Sequence, residues 1–218
     1  MALPRITVLI SGRGSNLAAL LAAERVNALA GAVCAVISNR PDAAGLATAA
    51  AQGIATTVVD HTAYPDRERF ETALAAAIDA GEPDLVLLAG FMRILGPGFV
   101  ARYEGRMLNI HPSLLPAYPG LHTHRRALAD GVRIHGCTVH FVTNDLDHGP
   151  IVAQGAVPVR PDDDEATLAA RVLAVEHRIY PAAVRAFCEG RLVIAGRRVR
   201  VMAESVPTAT LEVPVTGA

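Results

Sequence analysis

A chain of 218 residues is long enough for one large domain or two small ones with a sizeable buried core. Its 20 Lys+Arg against 21 Asp+Glu leave it close to neutral, which gives no support to non-specific binding of nucleic acid or of an anionic membrane. Hydrophobic residues make up 51%, inflated by alanine, and the long uncharged runs are broken by glycine, threonine or proline, so no membrane span is expected.

Ile6 to Ile10 is a continuous apolar, β-branched run of the kind a buried parallel strand needs. A glycine-rich turn leads into a helix from about Asn16 to Arg25. Ala32 to Ile37 reads as a second strand, Ala44 to Ala51 as a short helix, and Ile54 to Val59 as a third strand. A periodic helix runs from about Asp66 to Ala80 and is closed by Gly81 and Pro83. Leu85 to Leu88 and Met107 to Ile110 are further strands, and His124 to Ala129 is helical up to Gly131. Cys137 to Val142 and Ile151 to Val159 are strands joined by a polar loop. A long amphipathic helix reaches from near Asp164 to about Glu189, and Leu192 to Met202 resembles a hairpin turning at Gly196 and Arg197. Strands alternating with helices predict an α/β fold, a mostly parallel twisted sheet with helices on both faces. The domain is expected to span 1–205, in halves 1–104 and 105–205 with no linker between them, followed by a tail at 206–218 that is expected to be poorly ordered. The N-terminus enters a strand almost at once, so no basic-then-apolar signal peptide is expected, and the cysteines form no C-x-x-C pair. Cys34, Cys137 and Cys188 are odd in number and far apart, which fits buried thiols of a reducing cytoplasm.

Three stretches carry chemistry. Ser11-Gly12-Arg13-Gly14-Ser15-Asn16 lies between a buried strand and a helix start, where glycines let a backbone approach an anion and free N–H groups bind it. It has no Gly-Lys-Ser/Thr, and Leu17 stands at the third glycine position of a dinucleotide fingerprint, so it is neither of those motifs. The competing reading is a tight turn with a Ser or Asn helix cap. Asn109 and His111 end a strand and enter a loop stiffened by Pro112, Pro116 and Pro119. Two positions apart on extended backbone, they project the same way, one offering an amide and the other a titratable ring. Asn144 to Pro150 holds Asp145, Asp147 and His148; an Asp there is either a turn residue or a carboxylate partner favouring the charged form of His111. His122 and His124 lack a third metal ligand at sensible spacing, so no metal is expected. Taken alone, Arg67 reads as a solvated charge, Met92 and Arg93 as core and rim, and Glu176 as a partner of a helix neighbour.

Four segments together, Ser11 to Asn16, Leu88 to Leu95, Asn109 to His124 and Val139 to Pro150, resemble the phosphoribosylglycinamide formyltransferase family of purine biosynthesis, in unbroken order over roughly residues 5 to 200. The resemblance implies a formyltransferase fold with a Rossmann-like N-terminal half that binds nucleotide phosphate and a second half for catalysis and folate. It implies transfer of a formyl group from 10-formyltetrahydrofolate, as co-substrate, to the amine of glycinamide ribonucleotide. The family's catalytic residues fall on Asn109, His111 and Asp147. Its ribonucleotide-binding residues fall on Gly14, Ser15, Asn16 and Glu176. Its folate site falls on Arg67, Met92, Arg93, Ile94 and Leu95, on Asn109, and on Asn144, Asp145, Leu146 and Asp147. A monomer or homodimer without nucleic-acid or membrane partners follows, in the cytoplasm. His148 stands where relatives often have glycine. Formyltetrahydrofolate deformylase, which carries an extra N-terminal domain, methionyl-tRNA formyltransferase, which adds an RNA-binding domain, and a non-catalytic nucleotide- or folate-binding module are the alternatives.

Overall fold

The computed structural model describes residues 2–203 and Val213, so all but one residue of the 206–218 tail lies outside the described residues. The elements run β1 (Arg5–Ile10), α1 (Ser15–Arg25), β2 (Ala32–Ser38), α2 (Ala44–Ala50), β3 (Ala55–Val58), a 3-10 turn (His61–Ala63), α3 (Arg67–Asp79) and β4 (Leu85–Leu88). They continue with α4 (Pro97–Arg102), β5 (Met107–His111), α5 (Thr123–Ala129), β6 (Ile134–Phe141), β7 (Ile151–Pro158), α6 (Glu165–Cys188), β8 (Leu192–Ala195) and β9 (Arg198–Val201). The short helix α4 is not foreshadowed in the sequence pattern.

One nine-stranded sheet takes the order β3-β2-β1-β4-β5-β6-β7-β9-β8. The first five strands are parallel; four of them, β1 to β4, make the Rossmann-like arrangement expected of the N-terminal half, and β5 continues it into the second. Beyond them β6 runs antiparallel to both β5 and β7, so the sheet changes character between β5 and β6, inside the expected second half. The β8–β9 hairpin joins that edge through a single bridge from Ile151 to Arg198.

The sheet buries both faces, and β1 shows why its sequence is apolar throughout. Ile6, Val8 and Ile10 pack with Leu17, Leu20 and Leu21 of α1 and Val172 of α6 on one face. Leu9 faces the other, with Phe70, Leu74 and Ile78 of α3 and Phe99 and Val100 of α4. The spacing of Phe70, Leu74 and Ile78 places all three on one helix stripe, each burial contributing roughly 1.5–3 kcal/mol. Asp66 caps α3 by accepting the Arg69 N–H at 2.8 Å. At the N-terminus of α6, Asp164 and Thr167 form a reciprocal capping box.

Two close contacts lock neighbouring elements together. The Tyr180 hydroxyl on α6 shares its hydrogen between the carbonyls of Leu88 (3.1 Å) and Leu108 (3.2 Å), pinning β4 to β5. Gly14, at φ 74°, lies so close to Gly45 that a Cβ on it would come within 2.7 Å of the Gly45 Cα. The three cysteines are free, Cys137 buried and Cys34 and Cys188 half-buried. Burial pushes the Cys137 thiol up to about 12 and Cys188 to about 11, which leaves both unreactive.

Candidate active site

The loops after β1, β4 and β5 leave the same edge of the sheet, the carboxyl ends of its parallel strands, where open α/β sheets place their ligands. Asn109 and His111 project together from β5, and the antiparallel register sets Asn109 opposite His140. The loop between β6 and β7 brings Asp147 over them, with its backbone turned at a left-handed φ of 54°. Asp147 accepts the Gly120 N–H at 2.8 Å, and the same oxygen lies 3.5 Å from His111 Nδ1. His111 Nε2 lies 3.0 Å from the Tyr118 carbonyl. A buried ring whose two nitrogens both face acceptors is fully hydrogen-bonded only when both carry protons.

His140 is a member of this group that no sequence motif singled out. Its Nδ1 is 2.9 Å from the Phe141 carbonyl, so the proton sits there and Nε2 is an acceptor. Asn109 Nδ2 donates to that acceptor across 3.1 Å. Burial pushes the His140 pKa down, which keeps the ring neutral and the acceptor available. Alternation along β6 was the signal that could have singled it out, since His140 is the cross-strand partner of Asn109.

Asn109, His111 and Asp147 line a cleft of about 640 Å³ together with Arg67, Met92, Arg93, Ile94 and Leu146. An adjoining pocket of about 110 Å³ adds Leu95 and Asn144 and is walled by His140. The cleft also takes in Leu121, His122, Thr123, His124 and Glu165, none of which the motifs had assigned to a binding role. Met92 and Ile94 are 68% and 65% exposed, so they form an open apolar lip and are not core. Asp145 lines neither cavity. It is exposed, and its carbonyl accepts from the His148 N–H and the Thr143 hydroxyl, which makes it a turn former. His148 is exposed, and the left-handed position of the loop falls on Asp147. A glycine is demanded one residue later, where a Cβ on Gly149 would overlap the Phe141 carbonyl.

Gly14, Ser15, Asn16 and Glu176 gather at a second place on the same edge. Helix α1 starts at Ser15 with no side-chain cap, so the helix-cap reading of Ser15 and Asn16 fails and the first N–H groups stay available. Asn16 donates from Nδ2 to the buried Glu176 at 2.7 Å, so Glu176 pairs across the fold instead of along its own helix. Burial raises the Glu176 pKa against the opposing Asn16 hydrogen bond. Asn16 Oδ1 is buried without a partner. Among the described residues no group of three or more His, Cys, Asp or Glu is placed to hold a metal ion, and no helix is long and apolar enough to cross a membrane.

Residues 4–184 match the formyl transferase family model. Phosphoribosylglycinamide formyltransferase of Escherichia coli is 54% identical over 187 residues, covering 86% of this chain and 88% of the relative. Glycinamide ribonucleotide transformylase 1 from Symbiobacterium toebii superposes with a TM-score of 0.89 at 52% identity, covering 91% of this chain and 94% of the other. Formyltetrahydrofolate deformylase from Burkholderia mallei superposes at 0.83 with 32% identity, covering 92% of this chain and 70% of that one. A parallel core opening onto an Asn–His–Asp cleft, together with these likenesses, makes the chain a member of the formyl transferase family.

Proposed function

We propose that Asn109, His111 and Asp147 carry the chemistry of a formyl transfer in which no covalent enzyme intermediate forms. The chain transfers the formyl group of 10-formyltetrahydrofolate to the amine of glycinamide ribonucleotide, a step of purine biosynthesis. The neutral amine attacks the formyl carbon, and the carbonyl oxygen becomes an oxyanion. Asn109, with one N–H spent on His140, offers the second to that oxygen. Protonated His111 supplies the other donor, its Nε2–H moving from the Tyr118 carbonyl to the substrate. Asp147 holds the ring and balances its charge. The carbon–nitrogen bond to the folate then breaks, the departing nitrogen takes a proton and the attacking amine loses one, so the enzyme is restored.

The cleft lined by Arg67, by Met92 to Leu95 and by Asn144, Leu146 and Asp147 is the folate site in this reading, with an apolar lip for the ring system and two arginines for an anionic tail. Gly14, Ser15 and Asn16 take the ribonucleotide phosphate at the uncapped helix start, and Glu176 takes sugar hydroxyls. The convergence of Asn109, His111 and Asp147 on one cleft carries the proposal. Its test is the loss of 10-formyltetrahydrofolate with and without glycinamide ribonucleotide. Transfer requires the ribonucleotide and yields a formylated amide. Consumption at the same rate without it, yielding formate, identifies a deformylase and refutes the reading.

A further inference from the structure

Two side-chain acceptors from elsewhere in the fold hold the segment between β4 and α4. The Ser11 hydroxyl accepts the Met92 N–H at 2.8 Å. At the other end Glu71 of α3 accepts the Gly96 N–H at 2.6 Å. The same Glu71 oxygen lies 3.8 Å from Nε of Arg67, one helical turn earlier. The Glu71 side chain is only 13% exposed, whereas that of Arg67 is 58% exposed and lines the large cleft. Gly96 is buried against the carboxylate: a Cβ there would stand 2.9 Å from Glu71 Oε2 and 3.5 Å from Arg67 Nε. Glu71 itself lines neither cavity that holds Asn109 and Asp147.

We propose that Glu71 is a positioning residue for the folate cleft. Its single carboxylate ties the stretch bearing Met92, Arg93, Ile94 and Leu95 to the helix bearing Arg67, without touching the ligand. Two walls of one site are thereby set by one buried anion. A carboxylate suits both duties: its oxygens accept a backbone N–H and an arginine together, and the ion pair aims the guanidinium along the cleft wall. The proposal rests on reading that cleft as the folate site. The ribonucleotide residues Gly14 to Asn16 and Glu176 line neither cavity, so a defect at Glu71 is felt by one substrate and not the other.

The experiment measures KM for both substrates, and kcat, in Glu71→Ala, Glu71→Gln and Gly96→Ala. Glu71→Ala is expected to raise the KM for 10-formyltetrahydrofolate about tenfold, the scale of one lost charge-assisted hydrogen bond. The KM for the ribonucleotide and kcat at saturation are expected to stay within about twofold, since uniform binding alone is lost. Glu71→Gln keeps an oxygen for the Gly96 N–H and is expected to recover most of that loss. Gly96→Ala pushes a methyl group at the carboxylate and is expected to raise the folate KM in the wild-type background. Added to Glu71→Ala, it is expected to do little more, because its harm acts through the carboxylate. Should Glu71→Ala fail to fold, the ranking of Gly96→Ala above Glu71→Gln in folate KM decides the matter. An unchanged folate KM, an equal rise for both substrates, or full additivity overturns the proposal. Wild-type protein that does not use formyl-folate overturns the folate reading along with it, whereas active wild type with an unaffected Glu71→Ala overturns the clamp alone.

Discussion

Asp147→Asn is the sharpest perturbation of the proposed catalytic group, because the structure confines its effect to charge. The residue sits at a left-handed φ of 54°, which asparagine tolerates nearly as well as aspartate. The Gly120 N–H requires an oxygen at the position it now addresses, so the new amide is held with its oxygen toward Gly120 and His111 and its nitrogen toward His140. His111 thus keeps an acceptor at 3.5 Å and loses an anion. Both side chains are buried, at 7% and 8% exposure, and two unit charges at that separation attract by about 5 kcal/mol at an effective dielectric of 20. An amide dipole recovers part of this. We expect a net loss of about 3 kcal/mol in stabilising a charged His111 in the transition state, roughly 10²-fold in kcat. The assay is steady-state formyl transfer with both substrates saturating, beside a thermal melt to show an intact fold. The double variant Asp147→Asn/His111→Ala is expected to be no slower than His111→Ala by more than about threefold, since residues acting as a unit are not additive. A kcat for Asp147→Asn within about threefold of wild type, or losses that multiply in the double variant, would refute the coupling and leave Asp147 a turn residue.

Gly14→Val is expected to raise the ribonucleotide KM steeply, because φ is 74° and the Gly45 backbone lies 2.7 Å from the new Cβ; unchanged ribonucleotide affinity in a folded variant refutes phosphate binding at that turn. Tyr180→Phe leaves the Leu88 and Leu108 carbonyls without their hydroxyl donor and is expected to lower stability by about 1–2 kcal/mol in urea melts, with no loss if the contact is idle. Burial lowers the His135 pKa to about 4 and lowers that of His140 as well, so the unfolded chain takes up protons near 6.5 that the folded one refuses. Stability is therefore full above about pH 6.5 and falls as pH drops toward 4, by at most about 1.4 kcal/mol per pH unit for each histidine. Glu176, whose pKa is raised, offsets part of the fall at its acid end. Urea melts at pH 7 and pH 5 on wild type and His135→Phe check this, and equal pH dependence in the two proteins counts against His135 as a source.

The buried strands were legible as continuous apolar runs and the long helices by the period of their buried stripe. Ile6 to Ile10 and the Phe70, Leu74, Ile78 stripe each have one structural reading, and the structure takes it. Asn109, His111 and Asp147 were legible as a local pattern beside a stiff loop, and their meeting in one cleft needed only the sheet order. The reading missed what depends on partners distant in sequence. Helix α4 has six residues and opens on Pro97 and Gly98, so no periodicity marks it; Phe99 and Val100 become helical by packing on α3. Antiparallel pairing of β5, β6 and β7 is a choice of neighbour and not of composition. Met92 looked like core because methionine is apolar, yet it lies on an open lip. Glu71 and His140 bear no motif. Their significance lies in what sits across from them, a buried glycine in one case and the Asn109 amide in the other.

Glu176 and Tyr180 stand four residues apart on α6, one turn along the same side of the helix. The first meets Asn16, in the first turn of α1; the second rests on Leu88 at the end of β4 and Leu108 near the start of β5. Helix α6 is therefore a gauge between the two substrate positions proposed above. The span between the proposed phosphate cradle and the strand bearing Asn109 and His111 is written in the rise of one helical turn, not in any residue placed to touch both ligands. An insertion between 176 and 180 rotates one contact away whenever the other is kept.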